Sequence, residues 1–358
     1  WKKKIQRISE KIKALQEQLS KEGTVSSSTV SATDVARTVS SKLGIDEQIA
    51  MSSEWDTLKT LEKKIKQRII GQDPAIHTLV KTLQQAYVGA TQRTKPFASF
   101  LFVGPSGVGK TECGRVLAET LYHDKKACIK LDMSEFAEAH SVSKILGAPA
   151  GYVGFKDRTR FLDEISKRPY SVIVFDEFDK AHPDIRKLLL QILDEGRITD
   201  SSGKIIDLKH AIIILTTNVG AELFKTTGIG FGSGDMNADI QKAIHSNIKQ
   251  EFGNALLSRL DHTILFTPLQ TKDLHKIARQ HIRAISKTLA EKNNISVKAD
   301  AAAVRALIEE FYSADLGARN IDTKIERLFS ELMIELMEKE RTPQEVALHK
   351  SPSGFELH

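Results

Sequence analysis

Three short stretches of this chain carry side chains of the kind that handle phosphate. The first is Gly104, Pro105, Ser106, Gly107, Val108, Gly109, Lys110 and Thr111. It fits G-x-x-x-x-G-K-[ST], whose glycines let successive backbone N–H groups curl around a polyphosphate at a helix N-terminus. In that arrangement Lys110 reaches the β- and γ-phosphates and Thr111 ligates Mg²⁺. The second is the apolar run Val172, Ile173, Val174 and Phe175, which ends in two adjacent carboxylates, Asp176 and Glu177. At a strand tip Asp176 holds the Mg²⁺ shell and Glu177 polarises an attacking water. An isolated Asp-Glu pair usually marks a solvated loop; the order of phosphate loop, apolar strand and then carboxylates is what points to hydrolysis. The third stretch is the apolar run 211–215, which ends at Thr216, Thr217 and Asn218. From the tip of a neighbouring strand, Asn218 can orient water against a γ-phosphate. The chemistry these residues share is nucleotide hydrolysis.

Such groups need a sheet whose strand tips lie side by side. Strand-like and helix-like segments alternate at 99–103, 111–121, 128–131, 171–175, 183–193 and 211–216. This alternation predicts an α/β fold, a parallel sheet with crossover helices. After Phe266 the pattern becomes mainly helical, at 274–292, 301–311 and 319–340. Short strands near 295–297, 346–349 and 355–358 complete a smaller α+β unit. At the other end, Trp1, Ile5, Ile8, Ile12, Leu15 and Leu19 recur at spacings of four and three, a heptad seam. A helix docked on its own protein and a coiled coil both fit that seam. A Ser/Thr-rich linker over 23–33 follows, then a short helix over 31–47 capped by Asp34, and a second helical stretch over 55–69. The expected division is 1–24 for the N-terminal helix and 25–58 for linker and short helices. A large domain then spans 59–266 and a small one 267–358.

At 358 residues the chain exceeds one ordinary domain, and 41% hydrophobic with 27% charged residues is a globular composition. Apolar runs are strand-sized, so no membrane span is expected. Cys113 and Cys128 are the two cysteines, without C-x-x-C spacing, and the eleven histidines form no H-E-x-x-H, so neither disulfide nor zinc is expected. A reducing, cytosol-like compartment is the default. With Trp1 rather than Met at its start, a fragment or processed product is expected.

Net charge +6 and a pI of about 9.0 raise nucleic acid as a partner. Residues 1–70 hold 14 Lys or Arg against 9 Asp or Glu, while the other 288 hold 38 against 37. The excess therefore lies outside the nucleotide region, on a basic helical surface suited to neighbouring domains, adaptors or subunits. Nor do aromatic-interleaved basic segments of the base-stacking kind occur. A nucleic-acid motor is the weaker reading.

The phosphate loop and its surroundings resemble a known family. Ile70-Gly71-Gln72-Asp73, Leu131-Asp132-Met133-Ser134-Glu135, the stretch 147–154 and Arg168-Pro169-Tyr170 are similar in order and spacing to the second ATPase module of the Clp family of AAA+ unfoldases. So are Lys180-Ala181-His182-Pro183-Asp184 and the stretch 194–200. The resemblance runs from about residue 30 to the end, and the 1–20 helix resembles the end of the family's coiled middle region. It implies an AAA+ large domain with a helical lid, ATP with Mg²⁺, and a homo-hexamer that threads unfolded polypeptide through its pore. A bacterial cytosol, or an organelle of bacterial origin, is the implied location.

The resemblance also assigns residues. Ile69 and Ile70 would line the adenine pocket, and Arg259 would reach the neighbouring subunit's γ-phosphate. Around Arg259 this chain departs from the family, with Phe252-Gly253-Asn254-Ala255 in place of an Arg-Pro-Glu-rich lead. Arg319, in Gly317-Ala318-Arg319, would couple nucleotide state to rotation between domains. On sequence alone, each arginine reads as a surface ion pair. Gly151, Tyr152, Val153 and Gly154 match the substrate-gripping pore loop; without the resemblance they read as a turn with a half-buried tyrosine. The 199–204 turn is a second, weaker pore-loop candidate. Ile229, Gly230 and Phe231 match the tripeptide with which ClpC- and ClpA-like members dock a ClpP-type peptidase, and which the ClpB-like disaggregase branch lacks. A loop tucked onto its own domain is the other reading.

Overall fold

The computed structural model describes residues 30–43, 54–89, 94–138, 141–147, 160–226, 238–312, 317–338, 345–351 and 354–357. The expected 1–24 helix, the stretch from Gly151 to Gly154 and the tripeptide Ile229-Gly230-Phe231 lie outside the described residues.

The main sheet has five strands: β1 (Ala98–Val103), β2 (Cys128–Asp132), β3 (Val172–Asp176), and, beyond the short hairpin strands β4 (Arg197–Thr199) and β5 (Ile205–Asp207), β6 (Ile212–Thr217) and β7 (His262–Leu265). Their order is β2-β3-β6-β1-β7, and every pairing is parallel. The sequences of β1, β3 and β6 have almost no polar alternation because both faces are covered; every residue in them is buried. Phe100, Phe102, Val174 and Ile214 enter one core. Helices α1 (Ala32–Leu43), α2 (Glu54–Lys66), α3 (Asp73–Val88) and α4 (Lys110–Tyr122) come first in the chain; α2, α3 and α4 supply that core with Leu61, Leu79 and Leu117. Leu101, Val103, Phe175 and Leu215 enter the other core. There they meet α5 (Ser141–Leu146), α6 (Arg160–Lys167), α7 (Pro183–Glu195), α8 (Glu222–Thr226) and α9 (Ala238–Leu257).

The C-terminal unit comprises α10 (Thr271–Asn293), β8 (Ser296–Ala299), α11 (Ala301–Phe311), α12 (Ala318–Glu338), β9 (Glu345–Ser351) and β10 (Gly354–Leu357). Its sheet runs β10-β9-β8. Leu307, Ile321, Ile325 and Phe329 continue the first core without a break.

One expectation changes, and two features add to the sequence reading. Asp34 is not the cap of α1: the Asp34 backbone N–H donates to Ser31 Oγ at 3.2 Å, and Ser31 N–H donates to Asp34 Oδ2 at 3.0 Å. Ser31 is the cap and Asp34 its reciprocal partner three residues on, a capping box. The 199–204 turn connects a hairpin, with Ile198 and Ile206 buried and Ile205 59% exposed. The second added feature is in α9, where Gly253 breaks the helix at φ 73°, ψ 162°. Just before that break, Phe252 stacks on Phe178 at 5.7 Å and lies under the Arg186 guanidinium. The helix resumes after the break and ends at Leu257, and Arg259 follows in a turn closed by its N–H donating to Leu256 O at 3.0 Å.

Candidate nucleotide-binding site

β1 ends against its neighbours, and the phosphate loop starts there. Gly104 N–H donates to Thr217 O at 3.3 Å. A Cβ on Gly104 would lie 2.3 Å from the Phe266 carbonyl oxygen, so only glycine fits this exit. Gly107 and Gly109 take φ of 71° and 101°, the left-handed region that glycine adopts at little cost, and α4 begins at Lys110. The Lys110 ammonium is buried and donates to Gly104 O and Pro105 O, both at 2.6 Å, and to Asn218 Oδ1 at 2.9 Å. Burial pulls this amine down to about 8 against the carboxylates of Asp176, Asp179 and Glu177, and the nearby Arg319 charge lowers it further. A buried cation whose hydrogen-bond partners are neutral oxygens, facing a second cation across a cleft, is the electrostatics of a polyanion site.

Asp176 closes β3. Beside it in register, one step beyond the Phe175–Leu215 pair, Thr216 donates to Asp176 Oδ1 at 2.5 Å, and Thr111 donates to the same oxygen at 2.7 Å. Lys130 Nζ lies 2.7 Å from Oδ2. Burial alone would push the Asp176 carboxyl up; the bonds from Lys130, Thr216 and Thr111 outweigh it and hold the group below its ordinary value. The Thr111 hydroxyl and the Asp176 carboxylate give one spot an all-oxygen donor set, which suits a hard divalent cation. Glu177 follows in the left-handed conformation, φ 54° and ψ 47°, a strained state for a residue with a Cβ. The Thr216 hydroxyl fixes it by accepting the Glu177 N–H at 3.1 Å. The sharp turn lets Asp176 and Glu177 line one cleft from the end of a single strand.

The cleft encloses about 670 Å³ between sheet, loop and C-terminal unit. Ile69, Ile70, Leu269 and Ile277 form its apolar end. Gln72, 1% exposed, ties this end together: its amide donates to Thr267 O at 2.8 Å and Val108 O at 3.3 Å, and accepts from Thr267 N–H at 3.1 Å. On the other wall, Gly317 takes φ 60° and sits so close that a Cβ would lie 2.6 Å from Ser106 O. Ala318 N–H donates to Gly107 O at 3.1 Å. The C-terminal unit thus rests by its backbone on the phosphate loop, and Arg319, the next residue, lines the cleft with His281 and Asp322.

Most of the expected residues meet here. Ile69, Ile70, Ser106 to Thr111, Asp176, Glu177, Asn218 and Arg319 all line the cleft, and Gly104 and Pro105 hold Lys110 from behind. Arg259 does not join them. Its guanidinium donates to Asp194 Oδ2 and Ala255 O, each at 2.6 Å. Sequence reasoning missed Lys130, Thr216, His281 and Asp322. Thr216 stood in the Thr-Thr-Asn strand end already singled out, and Lys130 was legible only as a charge interrupting an apolar strand.

Residues 95–263 match the AAA domain (Cdc48 subfamily), and residues 269–348 match the C-terminal, D2-small domain, of ClpB protein. The chain belongs to the Clp family of AAA+ ATPases. It is 37% identical over 315 residues to a chaperone protein ClpB of Bacteroides thetaiotaomicron, covering 87% of this chain and 36% of that protein. It is 39% identical over 298 residues to a chaperone protein ClpB of Rickettsia bellii, covering 83% and 34%. A Staphylococcus aureus ATP-dependent Clp protease ATP-binding subunit ClpC is 37% identical over 315 residues, covering 87% and 38%. This Clp module spans about a third of the length of these relatives and corresponds to their second ATPase region. No described helix is long and apolar enough to cross a membrane.

Proposed function

We propose that this Clp module hydrolyses ATP with Mg²⁺ and uses the cycle to thread unfolded polypeptide through a homo-hexameric ring. The observation that carries the reading is the meeting of Lys110, Asp176, Glu177, Asn218 and Arg319 in one cleft whose far wall, Gly317 and Ala318, rests on the phosphate loop. In it the apolar end at Ile69 and Ile70 holds the base, and the loop N–H groups with Lys110 hold the β- and γ-phosphates. Thr111 and Asp176 hold the metal, which supplies charge neutralisation on the phosphates when bound. Glu177 takes the proton of the attacking water and Asn218 orients it. A change at the phosphates reaches the 267–358 lid through Arg319 and the Gly317 contact. Arg259, on a separate surface, acts on the neighbouring subunit's nucleotide. Tyr152 with its flanking Gly151, Val153 and Gly154 grips the substrate in the pore. Ile229, Gly230 and Phe231 dock a ClpP-type peptidase, and adaptor proteins use the basic N-terminal surface. The module works in a bacterial cytosol or an organelle of bacterial origin.

A ClpB-like disaggregase is the second reading, favoured by the match of residues 269–348 to the ClpB small domain. ATPase rates with an unfolded protein and with single-stranded DNA test the main reading: stimulation by protein supports it, and stimulation by DNA alone overturns it. Loss of peptidase co-elution on replacing Ile229 and Phe231 by Ser supports the protease-feeding branch; absence of co-elution from the unaltered protein favours the disaggregase.

A further inference from the structure

Lys130 stands in an unusual relation to the metal end of the cleft. It lies on β2, the edge strand, in register with Val174. A long side chain reaches the diagonal neighbour two residues on, and Lys130 reaches Asp176, Nζ to Oδ2, at 2.7 Å. Oδ1 already accepts from Thr111 and Thr216. The chain itself therefore fills three of the roughly four acceptor sites of that carboxylate. The two partners differ in freedom: the Asp176 side chain is 8% exposed, whereas Lys130 is 44% exposed and lines the cleft. The anion is fixed, and the cation can swing into solvent.

We propose that Lys130 is a resident counter-ion that competes with Mg²⁺ for Asp176, and so sets the Mg²⁺ concentration at which the site loads. The inference rests on the nucleotide-site reading above. A partly exposed ion pair contributes modestly, so the competition shifts loading without preventing it. Without Lys130 the buried carboxylate keeps its two hydroxyl partners but loses its counter-charge, and Mg²⁺ binds it more readily. Lys130 is a positioning residue for the metal and is assigned no contact with the phosphates.

The test is a Mg²⁺ titration of the full chain with a fluorescent ADP analogue, which reads binding without turnover. Lys130→Gln should lower the Mg²⁺ midpoint about fivefold and leave analogue affinity in EDTA unchanged, and Lys130→Arg should retain the original midpoint. Mg²⁺ alone should also raise the melting temperature more in Lys130→Gln than in the unaltered protein, a readout independent of nucleotide. An unchanged Mg²⁺ midpoint overturns the proposal. So does a parallel loss of affinity in EDTA, which would put Lys130 on the phosphates. Failure of the unaltered chain to bind the analogue at all would instead overturn the nucleotide-site reading.

Discussion

The two ends of the cleft are built on different terms. At the phosphate end, Lys110, Thr111, Asp176, Glu177, Thr216 and Asn218 bond to one another or to the loop at 2.5–3.1 Å. At the end facing α10 and α12, His281 Nε2 and Asp322 Oδ1 are enclosed without a hydrogen-bond partner, and their charged neighbours stand 3.5 and 3.7 Å away. Burial pushes the Asp322 carboxyl up; His281 opposes the rise, and Glu326 and Glu112 add to it. One wall is wired in advance, the other left open, and Gly317 joins them. Preorganised donors and acceptors serve a reaction, because nothing has to reorganise when charge develops. Loosely satisfied groups on a separable wall serve a moving part.

Breaking the wired end gives the largest effect. Glu177→Gln should keep nucleotide affinity within about twofold while turnover falls by about 10²–10⁴-fold; single-turnover hydrolysis checks this, and appreciable turnover would remove Glu177 as the base. Next comes the joint between the walls. Gly317→Ala places a Cβ against Ser106 O and Gly107 in a left-handed conformation, a strain of about 1–3 kcal/mol. Nucleotide affinity should drop about 5- to 100-fold, measured by fluorescence titration, and unchanged affinity would mean that the wall does not bear on the loop.

Acidity sharpens the same contrast. Lys110 titrates at about 8 in the folded chain, against 10.5 for an ordinary lysine. Between those values the unfolded state holds the proton that the native state has lost, so this group's contribution to stability rises with pH across that window. Polyphosphate selects the charged ammonium, so ADP affinity should fall as pH rises through about 8. Binding at pH 8.5 should take up a fraction of a proton, read by calorimetry in two buffers of different ionisation enthalpy. No uptake would mean that Lys110 is not the group contacted. The smallest effect belongs to the open wall. Asp322→Asn removes a charge that burial disfavours and should raise the melting temperature by about 1–2 °C; a fall would show that its pairing with His281 stabilises the fold.

The wired end was legible because its residues are contiguous: 104–111, 172–177 and 216–218 are three strand tips that need only a parallel sheet to meet. The open wall was not. Ile277, Gln280, His281 and Ala284 recur at the spacing of any amphipathic helix, and only tertiary packing turns that stripe toward a cleft. Arg319 could be singled out by resemblance alone, since an arginine opening a helix has no local signature. The α1 cap was misplaced because Ser-x-x-Asp can be read from either end, and the choice depends on which backbone N–H groups are left over. The hairpin over 197–207 escaped because its strands are three residues long and bury one side chain each.

The place of β1 in its sheet has a consequence for how such a chain comes into being. Phe100 pairs with Ile214 on one side and His262 on the other, so the strand bearing the phosphate loop has both its partners far downstream. At typical rates of synthesis the earlier of them emerges on the order of ten seconds later. Until then a run of Ala-Ser-Phe-Leu-Phe-Val presents two bare edges, the condition under which strands pair with the wrong chain. A chain of the Clp family thus passes through a stage of birth in which it is itself at risk of aggregation.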